Sequence, residues 1–209
     1  MKYKAYIFDL DGTLVDSGPD LANATNLMRE HYGLEKLPIP QIFTYIGNGA
    51  QKLVERAMKD SGFDIDEALK VFLKCYEENI LIQTKFFPGV EDFLKKLKKE
   101  KVPAVVLTNK PQAMTDKLLE EMNATQYFKL IYGPEAYGKK PDSAGLIECM
   151  KQLGVEAHET LMVGDHTTDL NAATGAGTPS VFCTFGLGNM EGCNPDFIIE
   201  SGEELFKFA

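Results

Sequence analysis

The chain has 209 residues, 44% of them hydrophobic and 25% charged, and a net charge of −9. It is long enough to bury a substantial core, and its acidity weighs against nucleic acid as a partner, which calls for a basic face. A small anionic ligand is still compatible, because a metal ion or a few lysines can make one site locally positive. The cysteines at 75, 149, 183 and 193 form no CxxC pair and have no histidine cluster near them, which argues against zinc and for thiols in a reducing compartment. The N-terminus meets Asp9 before a signal-peptide core can form, and no stretch has the length of a membrane-spanning helix. The expectation is a cytoplasmic protein with no membrane association.

In chain order, Lys2 to Phe8 is a β-prone run that stops at a polar turn, "DLDGT". Pro19 suits the first turn of a helix that runs to about Gly33. "IPQIFTYIG" and "AQKLVERAMKDSG" continue in helical pattern, and "DIDEALKVFLKCYEENILIQ" carries apolar residues at Ala68, Val71, Phe72, Cys75 and Tyr76. Residues 17–84 thus read as an all-helical insertion between strand-bearing segments 1–16 and 85–209.

After the Pro88-Gly89 turn, strands alternate with helices: "VPAVVL", "FKLIYG", "ETLMVG", "PSVFC" and "DFIIE" are the expected strands. That alternation predicts an α/β fold, a Rossmann-like parallel sheet covered by helices, with the first strand joined to it. Three strands end in polar clusters, "IFDLDGT", "VVLTNK" and "LMVGDHTTD". Ligands of open parallel sheets bind beyond the carboxyl ends of the strands. The fold therefore brings Asp9, Asp11, Thr108, Asn109, Asp165 and Asp169 towards one crevice, where so many acids require a counter-charge. A hard divalent cation suits oxygen donors, and Mg²⁺ is the expected ion.

"DLDGT", "LTNK", "KKPD" and "GDHTTD", in this order, resemble the four motifs of the haloacid dehalogenase-like hydrolase superfamily, and the helical insertion resembles that superfamily's cap. The resemblance implies a nucleophile at Asp9 that forms an aspartyl-phosphate and an acid/base at Asp11 that serves the leaving alcohol and then water. It implies metal ligands at Asp9, at the Asp11 main-chain carbonyl and at Asp165. Asp169 would stand behind them or orient a lysine. Thr108 and the Asn109 amide would meet the phosphoryl group, with Thr13 beside them. The lysine motif offers Lys140, directly before Pro141, with Lys139 as its competitor. A carboxylate at Asp11 favours phosphoryl transfer over dehalogenation, since only the former has a leaving alcohol to protonate.

The segment "IGNGAQKLVERA" is similar to the cap of bacterial phosphoglycolate phosphatases, as are "FPGVEDFLKKLK" and "LTNKPQ". That similarity implies a small phosphorylated metabolite, 2-phosphoglycolate, with Gly47, Asn48, Gly49 and Lys52, or Arg56, on its carboxylate. Pyrophosphate, sugar phosphates and nucleotides are the alternative substrates, and a β-phosphoglucomutase is the alternative activity; monomer and homodimer are both open. His166 and Ser143 depart from the family pattern, which has a small Ser at the first and often a second proline at the other. Ser143 is expected to cap the helix that follows.

Overall fold

A computed structural model describes residues 1–209. Six strands form one parallel sheet in the order β5-β4-β1-β6-β7-β8: β1 (Ala5–Phe8), β4 (Ala104–Leu107), β5 (Leu130–Tyr132), β6 (Thr160–Gly164), β7 (Ser180–Cys183) and β8 (Phe197–Ile199). The core is the expected α/β sheet, its strands interleaved with α5 (Val90–Lys99), α6 (Gln112–Glu121), α7 (Pro134–Tyr137), α8 (Ala144–Leu153) and α9 (Thr167–Ala176). β1 sits between β4 and β6, so the three strands that carry the polar clusters are neighbours. The chain builds outward from β1 first to one side and then to the other, leaving a crevice at the carboxyl end of β1.

The core strands are short apolar runs because both faces are covered. Along β1, Tyr6 and Phe8 pack into one hydrophobic layer and Ile7 into the other, each at 1% exposure or less. Burial of such side chains stabilises by roughly 1.5–3 kcal/mol apiece. The run ends where Asp9 begins, and the polar residues lie at the sheet's edge instead of inside it.

Four helices lie between β1 and the rest of the sheet: α1 (Gly18–His31), α2 (Ile39–Phe43), α3 (Ala50–Ala57) and α4 (Ile65–Glu78). α4 starts at Asp64, whose carboxylate accepts the Glu67 N–H at 2.9 Å. Its buried stripe, Ala68, Phe72 and Tyr76, has the i, i+4, i+8 spacing of one helical face. Two elements escape sequence reading here. A two-stranded antiparallel ribbon, β2 (Val15–Asp16) with β3 (Lys85–Phe86), ties the outgoing and returning connections together. Beside it the buried Asp20 carboxylate accepts N–H bonds from Ile82, Gln83 and Thr84 and the Thr84 hydroxyl, at 2.7–3.1 Å. Both ends of the helical segment are therefore fixed to each other next to the crevice. No helix is long and apolar enough to cross a membrane.

Candidate active site

Asp9 follows β1 directly and is 6% exposed. Its carboxylate faces the Lys140 ammonium at 2.8 Å, and Lys140 in turn pairs with Asp169 at 2.6 Å. Lys140 is buried and Lys139 is exposed, so the lysine before Pro141 is the one in the crevice. Burial alone would lower the Lys140 pKa, but Asp169 and Asp9 hold it above the ordinary lysine value.

Asp165, at the end of β6, has one carboxylate oxygen accepting the Leu187 and Gly188 N–H groups at 2.8 and 2.9 Å. Its other oxygen accepts the Thr13 hydroxyl at 3.1 Å. Asp169 accepts the His166 N–H at 3.0 Å from within the first turn of α9. One oxygen each from Asp9, Asp165 and Asp169 lie within 4.8 Å of one another, and all three residues are buried. One lysine cannot neutralise three carboxylates. Burial raises Asp9 to about 6, and burial together with Asp9 and Asp169 raises Asp165 to about 8. The donor set is all hard oxygen, and the Asp11 carbonyl accepts no hydrogen bond from the protein. These residues fit a hard divalent cation such as Mg²⁺. Gly12, at φ +85°, belongs to the same construction: a Cβ there would collide with the Asp165 carboxylate.

The second acid has a separate environment. The Asp11 carboxylate accepts the Ser17 hydroxyl at 2.6 Å and the Lys110 ammonium at 3.0 and 3.2 Å. Lys110 is buried and also donates to the Tyr76 hydroxyl of α4 at 2.6 Å. Asp9, Asp11, Thr108, Asn109, Gly47 and Gly49 all line one cavity between the sheet and the helical segment.

The model of the haloacid dehalogenase-like hydrolases matches residues 6–183. A phosphoglycolate phosphatase of Chromobacterium violaceum is 37% identical over 97% of this chain and 95% of its own length. That of Aquifex aeolicus is 34% identical over 98% and 95%. A solved structure described as a predicted phosphoglycolate phosphatase from Haemophilus somnus superposes with a TM-score of 0.90 at 28% identity, covering 99% of this chain and 98% of that one.

The chain belongs to the haloacid dehalogenase-like hydrolase family. Within it the chain stands with the phosphoric monoester hydrolases.

For a hydrolase of this family, the positions of the remaining residues are informative. Thr108 is buried at the end of β4, and its hydroxyl accepts the Lys110 N–H at 3.2 Å. The Asn109 side chain joins three parts: it donates to the Gly47 carbonyl at 3.1 Å and the Lys140 carbonyl at 2.9 Å, and accepts the Lys140 N–H at 2.9 Å. Asn48 and Lys52 are not among the cavity's walls. Asn48 accepts the Arg56 guanidinium at 2.7 Å, and Arg56 also holds the Tyr45 carbonyl at 2.9 Å, so this pair shapes the turn before α3. Lys52 is exposed and paired with Glu55 at 2.6 Å. The cation on the cavity wall is thus Lys110 and neither Lys52, which faces solvent, nor Arg56, which is held by Asn48 and the Tyr45 carbonyl.

His166 is 8% exposed, with its ring against the turn at Gly47 and Nδ1 accepting the Thr168 N–H at 3.2 Å. It caps α9 and forms a wall for the helical segment. Ser143 precedes α8 but makes no side-chain cap; the Asp142 carboxylate takes the Ala144 N–H at 2.8 Å. At Gly47, φ is +104° and a Cβ would stand 2.5 Å from His166 Cδ2. Gly47→Ala is therefore expected to cost about 1–3 kcal/mol, read from the midpoint of chemical denaturation. An unchanged midpoint would mean that the turn can leave His166 without penalty.

Proposed function

We propose that this protein is a Mg²⁺-dependent phosphatase that hydrolyses a small phosphate monoester, 2-phosphoglycolate foremost, through an aspartyl-phosphate at Asp9. The observation that carries this reading is the division of labour between two carboxylates at one strand end. Asp9 stands with Lys140 and the acidic trio, while Asp11 faces the cavity with Lys110 and Ser17. In the first step an Asp9 oxygen attacks phosphorus and the ester P–O bond breaks. Asp11 gives its proton to the departing alkoxide oxygen. In the second step Asp11 takes a proton from water, which attacks the same phosphorus and frees the Asp9 carboxylate.

A divalent cation held by Asp9, the Asp11 carbonyl and Asp165 would supply charge neutralisation to the non-bridging phosphoryl oxygens. Lys140 offsets charge on Asp9 and on the phosphoryl group, and Asp169 orients it. Thr108 and the amide of Asn109 are assigned to the phosphoryl oxygens. The helical segment acts as a cap that excludes water, with the turn at Gly47–Gly49 over the leaving group. The relatives named as phosphoglycolate phosphatases support the choice of ester. Four free cysteines agree with a cytoplasmic enzyme.

The test is phosphate release from 2-phosphoglycolate, pyrophosphate, hexose phosphates and nucleotides, each with Mg²⁺ and with EDTA. Phosphoglycolate is expected to lead in kcat/KM, and EDTA to abolish turnover of every ester. Release that persists in EDTA would sink the metal requirement. A different leading ester would sink the substrate assignment, and turnover only with a bisphosphorylated hexose as cosubstrate would indicate a mutase.

A further inference from the structure

Of all the residues that wall the cavity, Lys110 alone carries a positive side chain. It is 5% exposed and reaches in from the loop after β4, beside Asp11. Its other partner is Tyr76, 1% exposed, from α4 on the opposite side. The Tyr76 oxygen accepts from Lys110, and the phenol stays protonated because burial pushes its pKa up to about 12. The phenolic hydrogen donates to no acceptor in the protein. A buried donor of this kind costs free energy unless something in the cavity accepts from it.

The surroundings define what that acceptor is. Leu21, Ile46, Leu53, Phe72 and Met114 give the cavity apolar walls, in which a charge interaction is stronger than in water. A neutral hydroxyl group would satisfy the phenol but leave the ammonium with Asp11 as its one charged partner. An anionic oxygen satisfies both donors. The pair lies on the Asp11 side of the cavity, away from Lys140, and Asp11 is the group that the proposed mechanism gives to the ester oxygen of the leaving group.

We propose that Lys110 and Tyr76 form the subsite for the non-phosphate end of the substrate and select an ester whose leaving group carries a carboxylate. This assignment rests on the reading of Asp11 as the leaving-group acid. It moves carboxylate recognition from the α3 side chains to one core lysine and one cap tyrosine. Because Tyr76 belongs to α4, the subsite is complete only when the helical segment lies over the sheet as it does here.

The test compares 2-phosphoglycolate with its neutral isostere, 2-phosphoglycolamide, in the full-length enzyme with Mg²⁺. The wild type is expected to favour the carboxylate by about 100-fold in kcat/KM, the size of a charge-assisted hydrogen-bond pair. Lys110→Met is expected to cut that preference to about 3-fold or less, mainly through KM for the carboxylate, and Tyr76→Phe to cut it about 10-fold. Competitive inhibition by inorganic phosphate, unchanged within about 3-fold, shows that the phosphoryl site of each variant is intact. If Lys110→Met slows both esters alike and keeps the preference, Lys110 only positions Asp11 and the subsite assignment is wrong. Should that variant not fold, Tyr76→Phe decides by the same ratio. A wild type that hydrolyses both esters equally removes the subsite but leaves the phosphatase; one that hydrolyses neither removes both.

Discussion

Asp9→Asn is expected to lose at least ~10⁴-fold in kcat while unfolding no earlier than the wild type in metal-free buffer. The amide has nearly the shape of the carboxylate but cannot attack phosphorus, so the chemical step disappears and the fold does not. Stability moves the other way for an electrostatic reason. In the metal-free protein Asp9 is raised to about 6 by burial, with Lys140 countering and Asp169 and Asp11 adding to the rise. Its ordinary value is 3.8. A carboxyl whose folded pKa lies above its unfolded pKa favours the folded state fully below the unfolded value, and that contribution is lost as pH rises through the folded value. Wild-type stability should therefore fall between about pH 4 and pH 6 on account of Asp9, and the variant should lack that part of the decline. Thermal melts in EDTA across that range, beside phosphate release at one pH, separate the two effects. Retained turnover would remove Asp9 as the nucleophile. A variant that melts well below the wild type above pH 6 would show that the Asp9–Lys140 pair outweighs the cost of the buried charge.

The sheet was readable because its strands are short apolar runs with no helical alternative, each stopped by acids, threonine or glycine. The three polar strand ends could be grouped because a parallel sheet puts them on one edge. Direction within that edge was another matter. Thr108, Asn109 and Lys110 are consecutive, and nothing in "LTNK" says that the lysine turns in towards Asp11 while the Asn109 amide bridges Gly47 and Lys140. The lysine is the fourth letter of that motif. Tyr76 fell on an apolar helical stripe, where an aromatic reads as core, and its ring does pack there; the hydroxyl at its tip is what reaches the cavity.

Other parts had no sequence signal at all. The Leu187 and Gly188 amides that hold Asp165 are backbone donors, common to every residue but proline. β2 and β3 have two residues each, too few for any period. Lys52 looked suited to an anion because its segment resembled a cap. The structure turns it to solvent, since Leu53, Val54 and Ala57 take the inward face of α3. One residue of rotation on a helix, about 100°, decides whether a lysine is a ligand or surface charge.

Lys140→Met should be more destabilising than Asp9→Asn or Gly47→Ala, and its effect should depend on metal. The lysine is the only cation among Asp9, Asp165 and Asp169, all buried. Removing one partner of a buried charge network leaves the others uncompensated, at a cost of about 3–5 kcal/mol. In a chain of this size that lowers the melting temperature by roughly 10 °C. A divalent cation bound by the same carboxylates stabilises both proteins, and the variant more, because acids without their lysine bind it more tightly; each tenfold gain in affinity returns about 1.4 kcal/mol of the loss. The gap between variant and wild type should thus be wider in EDTA than in Mg²⁺. With Mg²⁺ present, kcat for 2-phosphoglycolate should fall about 10²–10³-fold, as for loss of one preorganised electrostatic group at a transition state. Lys139→Met, one residue earlier and exposed, provides the control and should change neither quantity. Equal effects of the two substitutions, or a Lys140→Met melt that ignores metal, would mean that the lysine is not what balances the acids. The charge count makes the opposite outcome the expected one: without the lysine, the three buried carboxyl groups must take up protons or a metal ion to share that space.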